Sequence, residues 1–320
     1  MSDKKNILVT GGAGFIGSNL VETLLDDEGT GKIRVLDNLS TGFKHNINAF
    51  LDSPKLEFME GDIRSFDTCL KATEEIHLVS HQAALGSVPR SVKDPLTSNS
   101  VNITGTLNIF QAAVQNNCRR VVFAASSSTY GDSEGLPKVE DNIGKPLSPY
   151  AVTKYVNELY AEVFSKSYDF EFIGLRYFNV FGPKQDPGGA YAAVIPLFYQ
   201  AALENRSPLI NGDGSYSRDF TYVDNAVKAN INALFTNNEE AVNQVYNIAC
   251  GEQTSLNELW TSIKKITSCQ AKAEYGPNRL GDIPHSLADI SKAKQLLDYK
   301  NLVKVDSGLQ KAFEWYSKNL

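Results

Sequence analysis

The chain has few of the features that mark secreted, membrane-spanning or nucleic-acid-binding proteins. Its 320 residues contain only four cysteines, which are scattered and form no Cys-x-x-Cys pair, so we expect free thiols in a reducing cytosol. No run approaches the ~20 apolar residues of a membrane span. The net charge is −6 and no Lys/Arg-rich run offsets it, which argues against a nucleic-acid partner. These absences favour a cytoplasmic protein with neither a membrane nor a nucleic acid as partner.

Metal chemistry is not indicated either. No histidine stands at a metal-binding spacing from a cysteine, and we expect no metal site. The four histidines are expected to be structural or exposed: His45, His77, His81 and His285.

The first half of the chain alternates short apolar runs with segments of helical spacing. The runs predicted as buried strands are Ile7–Val9, Ile33–Leu36, Leu56–Met59, Ile76–Ser80, Val121–Ala125 and Phe170–Leu175. The helical segments between them include Phe15–Leu25, Ser98–Val114 and Ser148–Phe164. This alternation predicts an α/β fold of the Rossmann type, a doubly wound parallel sheet with helices on both faces. Ligands on such sheets bind beyond the carboxyl ends of the strands.

The pattern changes after about residue 179, which suggests a division of the chain. We expect a dinucleotide-binding domain over residues 1–179, with residues 218–240 returning to it, and a smaller mixed α/β substrate-binding lobe over 180–320. The strand Gln244–Ala249 is predicted to stand apart from the main sheet, within the smaller lobe.

A glycine-rich turn follows the first predicted strand directly. Gly11, Gly14 and Gly17 form Gly-x-x-Gly-x-x-Gly at the point where a helix begins. Small residues let a backbone approach a pyrophosphate, and a helix N-terminus attracts anions. The turn therefore predicts NAD binding, although glycines there could also serve a purely structural turn.

Acidic residues at two later strand ends fit the same ligand. Asp37 closes the second strand about 20 residues beyond the last glycine, where a carboxylate binds the adenosine ribose and repels a 2′-phosphate. Asn38 and Ser40 could contact the same ribose, and Asp62 with Ile63 could contact the adenine. Each aspartate could instead be an ordinary turn former.

A tyrosine and a lysine stand one helical turn apart further along the chain. Ser148 is the expected N-cap and Pro149 the first helical residue, so Tyr150 and Lys154 share one helix face. A nearby ammonium and the cationic ring of NAD⁺ would lower the tyrosine pKa from ~10 and make it a usable base. Hydroxyls at Ser126, Ser127 and Ser128, after the fifth strand, could hold a substrate oxygen beside it.

These motifs together resemble the extended short-chain dehydrogenases/reductases over essentially the whole chain. The residues that carry the resemblance are Thr10–Gly17, Asp37, Ser126–Gly131, Tyr150, Lys154 and Leu175–Asn179. The segments Gln82–Arg90 and Leu147–Lys154 look most like NAD-dependent UDP-hexose 4-epimerases, in particular bacterial UDP-N-acetylglucosamine 4-epimerases.

The resemblance implies further site residues. Additional cofactor contacts would come from Phe15, Ile16, Gly42, Gln82, Ala83, Ala84, Asn102, Tyr177 and Phe178. The UDP-sugar would be bound by Gly86, Ser87, Asn179, Ala193, Val194, Arg218, Arg279 and Asp282, besides the serines and Tyr150. Both arginines suit a diphosphate, although surface arginines are usually only solvated.

The same resemblance implies a mechanism. Tyr150 would take the proton of the sugar 4-hydroxyl while Lys154 binds the nicotinamide ribose. NAD would accept and return the C4 hydride through a transient 4-keto sugar and stay tightly bound. A homodimer is implied, with an interface built from Ser98–Val114 and Ser148–Phe164, although the apolar faces of those segments could equally be core.

Related activities differ at a few positions. Dehydratases of the family carry Asp-Glu where this chain has Ser127 and Ser128, and decarboxylases carry a glutamate in that segment, so epimerisation is favoured. Ser286 stands where epimerases restricted to UDP-glucose carry a tyrosine, which leaves room for an N-acetyl group. The alternatives are a UDP-glucuronate or UDP-glucose/galactose 4-epimerase, and a catalytically silent NAD-sensing protein.

Overall fold

Seven strands form one sheet in the computed structural model, which describes residues 4–188, 193–277 and 283–320. Numbered along the chain, they are β1 (Lys5–Thr10), β2 (Thr30–Asp37), β3 (Leu56–Glu60), β4 (Leu78–His81), β5 (Arg120–Ser126), β6 (Glu171–Tyr177) and β11 (Gln244–Ile248). All neighbours pair in parallel, in the order β11-β6-β5-β4-β1-β2-β3. The Rossmann-type α/β fold class is therefore confirmed.

Some helices cover the two faces of this sheet, and others pack beside it. They are α1 (Phe15–Asp26), α2 (Phe66–Ala72), α3 (Val88–Lys93), α4 (Pro95–Asn99), α5 (Gly105–Gln115), α6 (Pro149–Ser167), α7 (Val194–Leu203), α8 (Val223–Phe235), α9 (Leu256–Thr267), α10 (Ser291–Leu296) and α11 (Val305–Asn319). None of them, within the described ranges, is long and apolar enough to cross a membrane.

Two apolar layers hold the sheet between its helices. Successive residues of β1 point to opposite faces, so Ile7 and Val9 join one core cluster and Leu8 joins the other. The first cluster contains the buried faces of α1 and α8, and the second contains those of α2, α5 and α6. Burial on both faces explains why these strands are almost uniformly apolar in sequence.

One strand lies in a different place from the one predicted. Residues 244–248 do not stand apart from the main sheet: β11 pairs with β6 from Gln244–Ile173 to Ile248–Tyr177 and forms the edge of the sheet. The sequence does not indicate that this strand belongs to the main sheet, because Asn247 interrupts its apolar run. The Asn247 amide is used on the backbone carbonyls of Lys138 and Asp289. Helix α8 packs against α1 and against strands β4 to β6, although it lies after residue 179 in the chain. The domain boundary at residue 179 therefore stays a proposal.

The remaining short strands pair outside the main sheet. They are β7 (Val180–Phe181), β8 (Leu209–Asn211), β9 (Ser217–Arg218), β10 (Thr221–Tyr222), β12 (Thr254–Ser255) and β13 (Glu274–Gly276). β7 pairs with β10 and β8 with β13, both in parallel, whereas β9 and β12 are antiparallel. Helices α7, α9 and α11 pack on one another beside these pairs.

Candidate active site

A cavity of about 580 Å³ opens at the carboxyl ends of the strands. It lies where the strand order reverses, because β1 has β2 on one side and β4 on the other, and this is the usual ligand crevice of such sheets. Most predicted cofactor residues line it: Gly11, Gly14, Phe15, Ile16, Gly17, Asp37, Asn38, Ser40, Gly42, Asp62, Ile63, Gln82, Ala83, Ala84, Tyr150, Lys154 and Tyr177. Of the predicted sugar residues, Gly86, Ser87, Ser126, Ser127 and Asn179 line it as well.

The glycine turn has the shape of a phosphate cradle. Gly11 has φ +69°, and a Cβ there would lie 2.7 Å from the Ala83 backbone nitrogen. A Cβ on Gly17 would lie 2.2 Å from the Gly11 carbonyl oxygen. Gly14 precedes α1 and has no side chain to cap it, so the first N–H groups of the helix are left for an anionic ligand. The cradle therefore fits a dinucleotide pyrophosphate.

Asp37 has a second role that its spacing alone did not reveal. One carboxylate oxygen accepts a hydrogen bond from Ala13 N–H at 2.9 Å, and the other accepts from Leu39 N–H at 2.8 Å. Burial raises the pKa of this carboxyl, and the two backbone hydrogen bonds lower it. The side chain therefore fixes the phosphate turn to the loop after β2, while each oxygen keeps a lone pair for a ribose hydroxyl.

The adenine end of the cavity contains a charged cluster. Arg64 binds the Asp62 carboxylate, with its closest contact at 2.6 Å, and Asn38 donates to the same carboxylate at 3.0 Å. The hydrogen bond from Arg64 is the main cause that lowers the pKa of Asp62 to about 2. Asp62 is thus ionised and partly satisfied before any ligand arrives, which agrees with a turn role as well as with an adenine contact.

The start of α6 forms as the sequence predicts. Ser148 caps the helix by accepting from Ala151 N–H, and Pro149 is its first residue. Ser91 on α3 accepts a hydrogen bond at 3.0 Å from the Tyr150 N–H, one of the donors that a helix start leaves unpaired. Lys154 then lies one turn on, buried, with its ammonium donating to the Ala124 carbonyl at 2.7 Å.

Burial and local contacts set the electrostatics of this pair. Burial raises the pKa of Tyr150, and only a hydrogen bond with Ser126 lowers it. The Lys154 ammonium is held on the Ala124 carbonyl and lies 6.0 Å from the centre of the tyrosine ring. Burial also lowers the pKa of Lys154 to about 8, against the opposing effect of Glu158. A further positive charge in the cavity, such as the cationic ring of NAD⁺, would favour the Tyr150 phenolate.

Three residues predicted to contact ligands are not among those that line the cavity. Asn102 is fully buried in a π-helical turn, Ser100–Thr104, and holds the Leu85 backbone through both its amide atoms at 2.8 and 3.1 Å. Phe178 is buried against the Tyr130 ring. Ser128 turns its hydroxyl onto that of Ser126 at 2.9 Å. The polar atoms of Asn102 are used on the loop that bears Leu85, and the prediction that Asn102 and Phe178 contact ligands stays a prediction.

Four further sugar-binding candidates among the described residues lie outside the cavity lining. Arg218 on β9 donates to the carbonyls of Ser217 and Pro284, and the Ser286 N–H donates to Ser217 at 3.1 Å, which places Arg218 and Ser286 in neighbouring segments. Ala193 and Val194 stand at the start of α7. Arg279 and Asp282 lie outside the described residues.

Sequence reasoning missed a buried carboxylate that joins these segments. Asp219 accepts backbone hydrogen bonds from Cys250, Gly251 and Ala288, and Asn179 donates to its carbonyl. Burial raises the pKa of Asp219 to about 6. No motif marks this residue, because its partners are all backbone groups distant in sequence.

A polar network beneath the cavity was also missed. Tyr177 OH donates to Gln82 at 3.1 Å and accepts from Asn230 of α8 at 2.7 Å. Other lining residues not predicted are Leu36, Thr41, Gly61, Leu85, Val101, Ala124, Ala125, Val180 and Gln185. Most adjoin predicted residues at strand ends, so proximity in sequence could have found them.

The histidines take no part in this cavity. His81 is buried and bonded to the hydroxyls of Thr10 and Thr106, whereas His45 is exposed. Among residues 4–188, 193–277 and 283–320, no three His, Cys, Asp or Glu side chains come together as a metal site would require.

Known proteins resemble the chain over almost its whole length. A putative UDP-glucose 4-epimerase of Methanocaldococcus jannaschii is 40% identical over 98% of this chain and 99% of its own. A UDP-N-acetylglucosamine 4-epimerase structure from Methanobrevibacter ruminantium, in complex with UDP-N-acetylmuramic acid, superposes with TM-score 0.93, 40% identity and full coverage of both chains. A Thermotoga maritima UDP-glucose 4-epimerase structure with UDP-glucose gives TM-score 0.91 at 36% identity, covering 98% and 99% of the two chains.

The family model named NAD dependent epimerase/dehydratase matches residues 7–249. That stretch includes the glycine cradle, Asp37, the serine turn and the Tyr150–Lys154 pair. The chain therefore belongs to the NAD dependent epimerase/dehydratase family.

Proposed function

We propose that the protein is an NAD-dependent 4-epimerase of UDP-hexoses, preferring UDP-GlcNAc and UDP-GalNAc. The observation that carries the proposal is that Tyr150, Lys154, Ser126 and the glycine cradle all face one cavity. Relatives that share this architecture are UDP-hexose 4-epimerases by description.

The chain's own residues divide the work of such a reaction. NAD, when bound, supplies the acceptor and donor of the C4 hydride. Tyr150 moves the proton of the sugar 4-hydroxyl, and the Ser126 hydroxyl, which lowers the pKa of Tyr150, orients both oxygens. Lys154 would hold the nicotinamide ribose and contribute its positive charge, 6.0 Å from the centre of the Tyr150 ring.

Epimerisation suits this site better than dehydration or decarboxylation. Removal of water across two carbons needs an additional acid and base near the sugar. The positions that would supply them carry Ser127 and Ser128, and the hydroxyl of the latter is bonded to Ser126. Neither serine can exchange protons at neutral pH as a carboxyl group does.

The preference for N-acetylated sugars rests on Ser286. Its segment is held by backbone bonds on both sides, from Ser286 to Ser217 and between Lys138 and Leu287. The residue is half-buried and small, and we infer that a serine on this fixed segment leaves room for an N-acetyl group where a tyrosine would not. The similar Methanobrevibacter protein is described as acting on UDP-N-acetylglucosamine, which supports this choice.

We also propose that the protein forms a homodimer through α6. Apolar side chains are exposed along this helix and the adjoining α3–α4: Val92 is 64% exposed, Leu96 81% and Val163 57%. By contrast, α5 turns Ile109 and Phe110 into the core, so the interface expected over residues 98–114 shifts towards 88–96. A two-fold axis across α6 would cover the same patch on both copies. Val163→Glu should yield monomers by light scattering, and an unchanged mass would contradict this interface.

The function is tested by incubating the protein separately with UDP-GlcNAc, UDP-glucose and UDP-glucuronate and separating C4 epimers by chromatography. We expect fastest conversion of UDP-GlcNAc. Faster conversion of another sugar would overturn the preference alone. NAD binding with no epimer from any sugar would instead favour a catalytically silent NAD-sensing protein.

A further inference from the structure

One buried guanidinium contacts both α6 and the turn that follows Ser126 in the candidate active site. Arg176 of β6 is only 4% exposed, and its Nε and Nη2 donate to the two carboxylate oxygens of Glu158 at 2.9 and 2.7 Å. Glu158 lies on α6, one helical turn beyond Lys154, and is itself 6% exposed. The ion pair therefore fixes the rotation and height of the helix that carries Tyr150 and Lys154.

The same guanidinium also reaches the serine turn. Its centre lies 4.9 Å from the centre of the Tyr130 ring, and Tyr130 ends the 3₁₀ turn Ser127–Tyr130 that follows Ser126. Tyr130 is held from its other end by a 2.6 Å hydrogen bond to Asn247 of β11. A further nitrogen of Arg176 donates to the Glu140 carbonyl at 2.8 Å, in the loop between the serine turn and α6. Arg176 thus contacts α6, which carries Tyr150 and Lys154, and also the serine turn and the loop between the two.

Stability alone is a weak reason for such an arrangement. Two charges removed from water lose hydration that their attraction only partly restores, and apolar residues of similar volume often stabilise a fold equally well. What an apolar pair cannot supply is direction, because bidentate hydrogen bonds and ring stacking each fix an angle. The hydroxyls of Tyr150 and Ser126 need such fixed angles if they are to share one substrate oxygen.

We propose that Arg176 and Glu158 are positioning residues that hold α6 and the serine turn in register for proton transfer. The inference rests on the proposed epimerase function and deepens it. Neither side chain lines the cavity. Loss of the pair should therefore lower kcat while KM for the UDP-sugar and the Kd for NAD change little.

The chain offers a matched control at the opposite end of the sheet. Arg120, 1% exposed at the start of β5, donates from Nε and Nη2 to Glu171 at 2.9 and 2.7 Å. This pair is also buried on its arginine side, but it lies at the amino ends of the strands, away from the cavity. Replacing this pair measures how the loss of a buried ion pair affects the stability of the fold, without a contact to the active site.

The test compares Arg176→Met/Glu158→Leu with Arg120→Met/Glu171→Leu. Both replace a charged pair by apolar side chains of similar volume, so neither leaves a buried charge unpaired; Arg119, which also pairs with Glu171 at 3.5 Å, is itself exposed. Measurements are kcat and KM by epimer chromatography, NAD Kd by calorimetry and the unfolding temperature. We expect the first variant to lose at least about tenfold in kcat, as small misplacements at reacting groups do. KM and Kd should stay within about threefold, and the control variant should keep its kcat within about twofold.

Equal kcat in the two double variants would overturn the proposal, and so would a loss confined to KM or to NAD affinity. If the first double variant does not fold, Arg176→Lys and Arg120→Lys replace them, because lysine keeps the charge but loses the bidentate and stacked contacts. Arg176→Lys should then lose kcat selectively, and a kcat equal to that of Arg120→Lys contradicts the proposal. An inactive wild-type protein with all three sugars would instead refute the proposed function, and this inference with it.

Discussion

The buried imidazole of His81 makes stability fall as the solution becomes acidic. It lies at the end of β4 between the hydroxyls of Thr10 and Thr106, at 2.7 and 2.9 Å, and is 3% exposed. Burial first, and the Lys154 ammonium second, lower its pKa from 6.5 to about 3. Between these values the unfolded chain binds a proton that the folded chain does not, so this stability is present above pH 6.5 and is lost as pH falls.

The size of the effect follows from the two pKa values. Each pH unit below 6.5 costs about 1.4 kcal/mol, which amounts to roughly 2 kcal/mol at pH 5 and at most about 5 kcal/mol near pH 3. The assay is urea unfolding at pH 7.5 and 5.0 for wild type, His81→Gln and, as control, the exposed His45→Gln. We expect the pH-dependent loss to shrink by about 2 kcal/mol only in His81→Gln. An equal pH dependence in all three proteins would refute the reasoning.

Two further predictions concern the ligands. Gly17→Ala places a Cβ 2.2 Å from the Gly11 carbonyl oxygen, so it should weaken NAD binding at least about tenfold in a fluorescence titration. The control is Gly135→Ala, where a Cβ meets nothing within 4 Å and NAD affinity should not change. Equal NAD affinities of the two variants would contradict the phosphate cradle. Ser286→Tyr should remove most activity on UDP-GlcNAc and keep that on UDP-glucose within about threefold, because the ring fills the space for the N-acetyl group. Full activity of this variant on UDP-GlcNAc would refute the assignment of Ser286.

The sequence predicts best those parts of the fold that depend on local patterns of residues. The first six strands are short apolar runs, and the start of α6 carries both its cap, Ser148, and its Pro149, so their positions agree with the structure. Gly11, Gly17 and Asp37 could be placed because motif spacing puts them at the same edge of one sheet.

Features that depend on contacts distant in sequence could not be found this way. β11 reads as a strand, but its partner β6 lies about 70 residues earlier, so nothing local assigns it to the main sheet. Asn102 looked like a ligand residue, yet its π-helical turn aims the amide at Leu85. Similarly, the spacing places Lys154 beside Tyr150, but it does not reveal that the ammonium is held by Ala124, a contact between α6 and β5.

The most direct test of the central claim is the conversion of UDP-GlcNAc by Tyr150→Phe. This variant removes one hydroxyl from the cavity and leaves the cradle, Lys154 and the helix cap unchanged. If Tyr150 moves the proton of the sugar 4-hydroxyl, turnover should fall by at least about a hundredfold, the scale of general-base catalysis, while NAD and UDP-sugar affinities stay within about threefold. Near wild-type turnover of Tyr150→Phe would contradict the account.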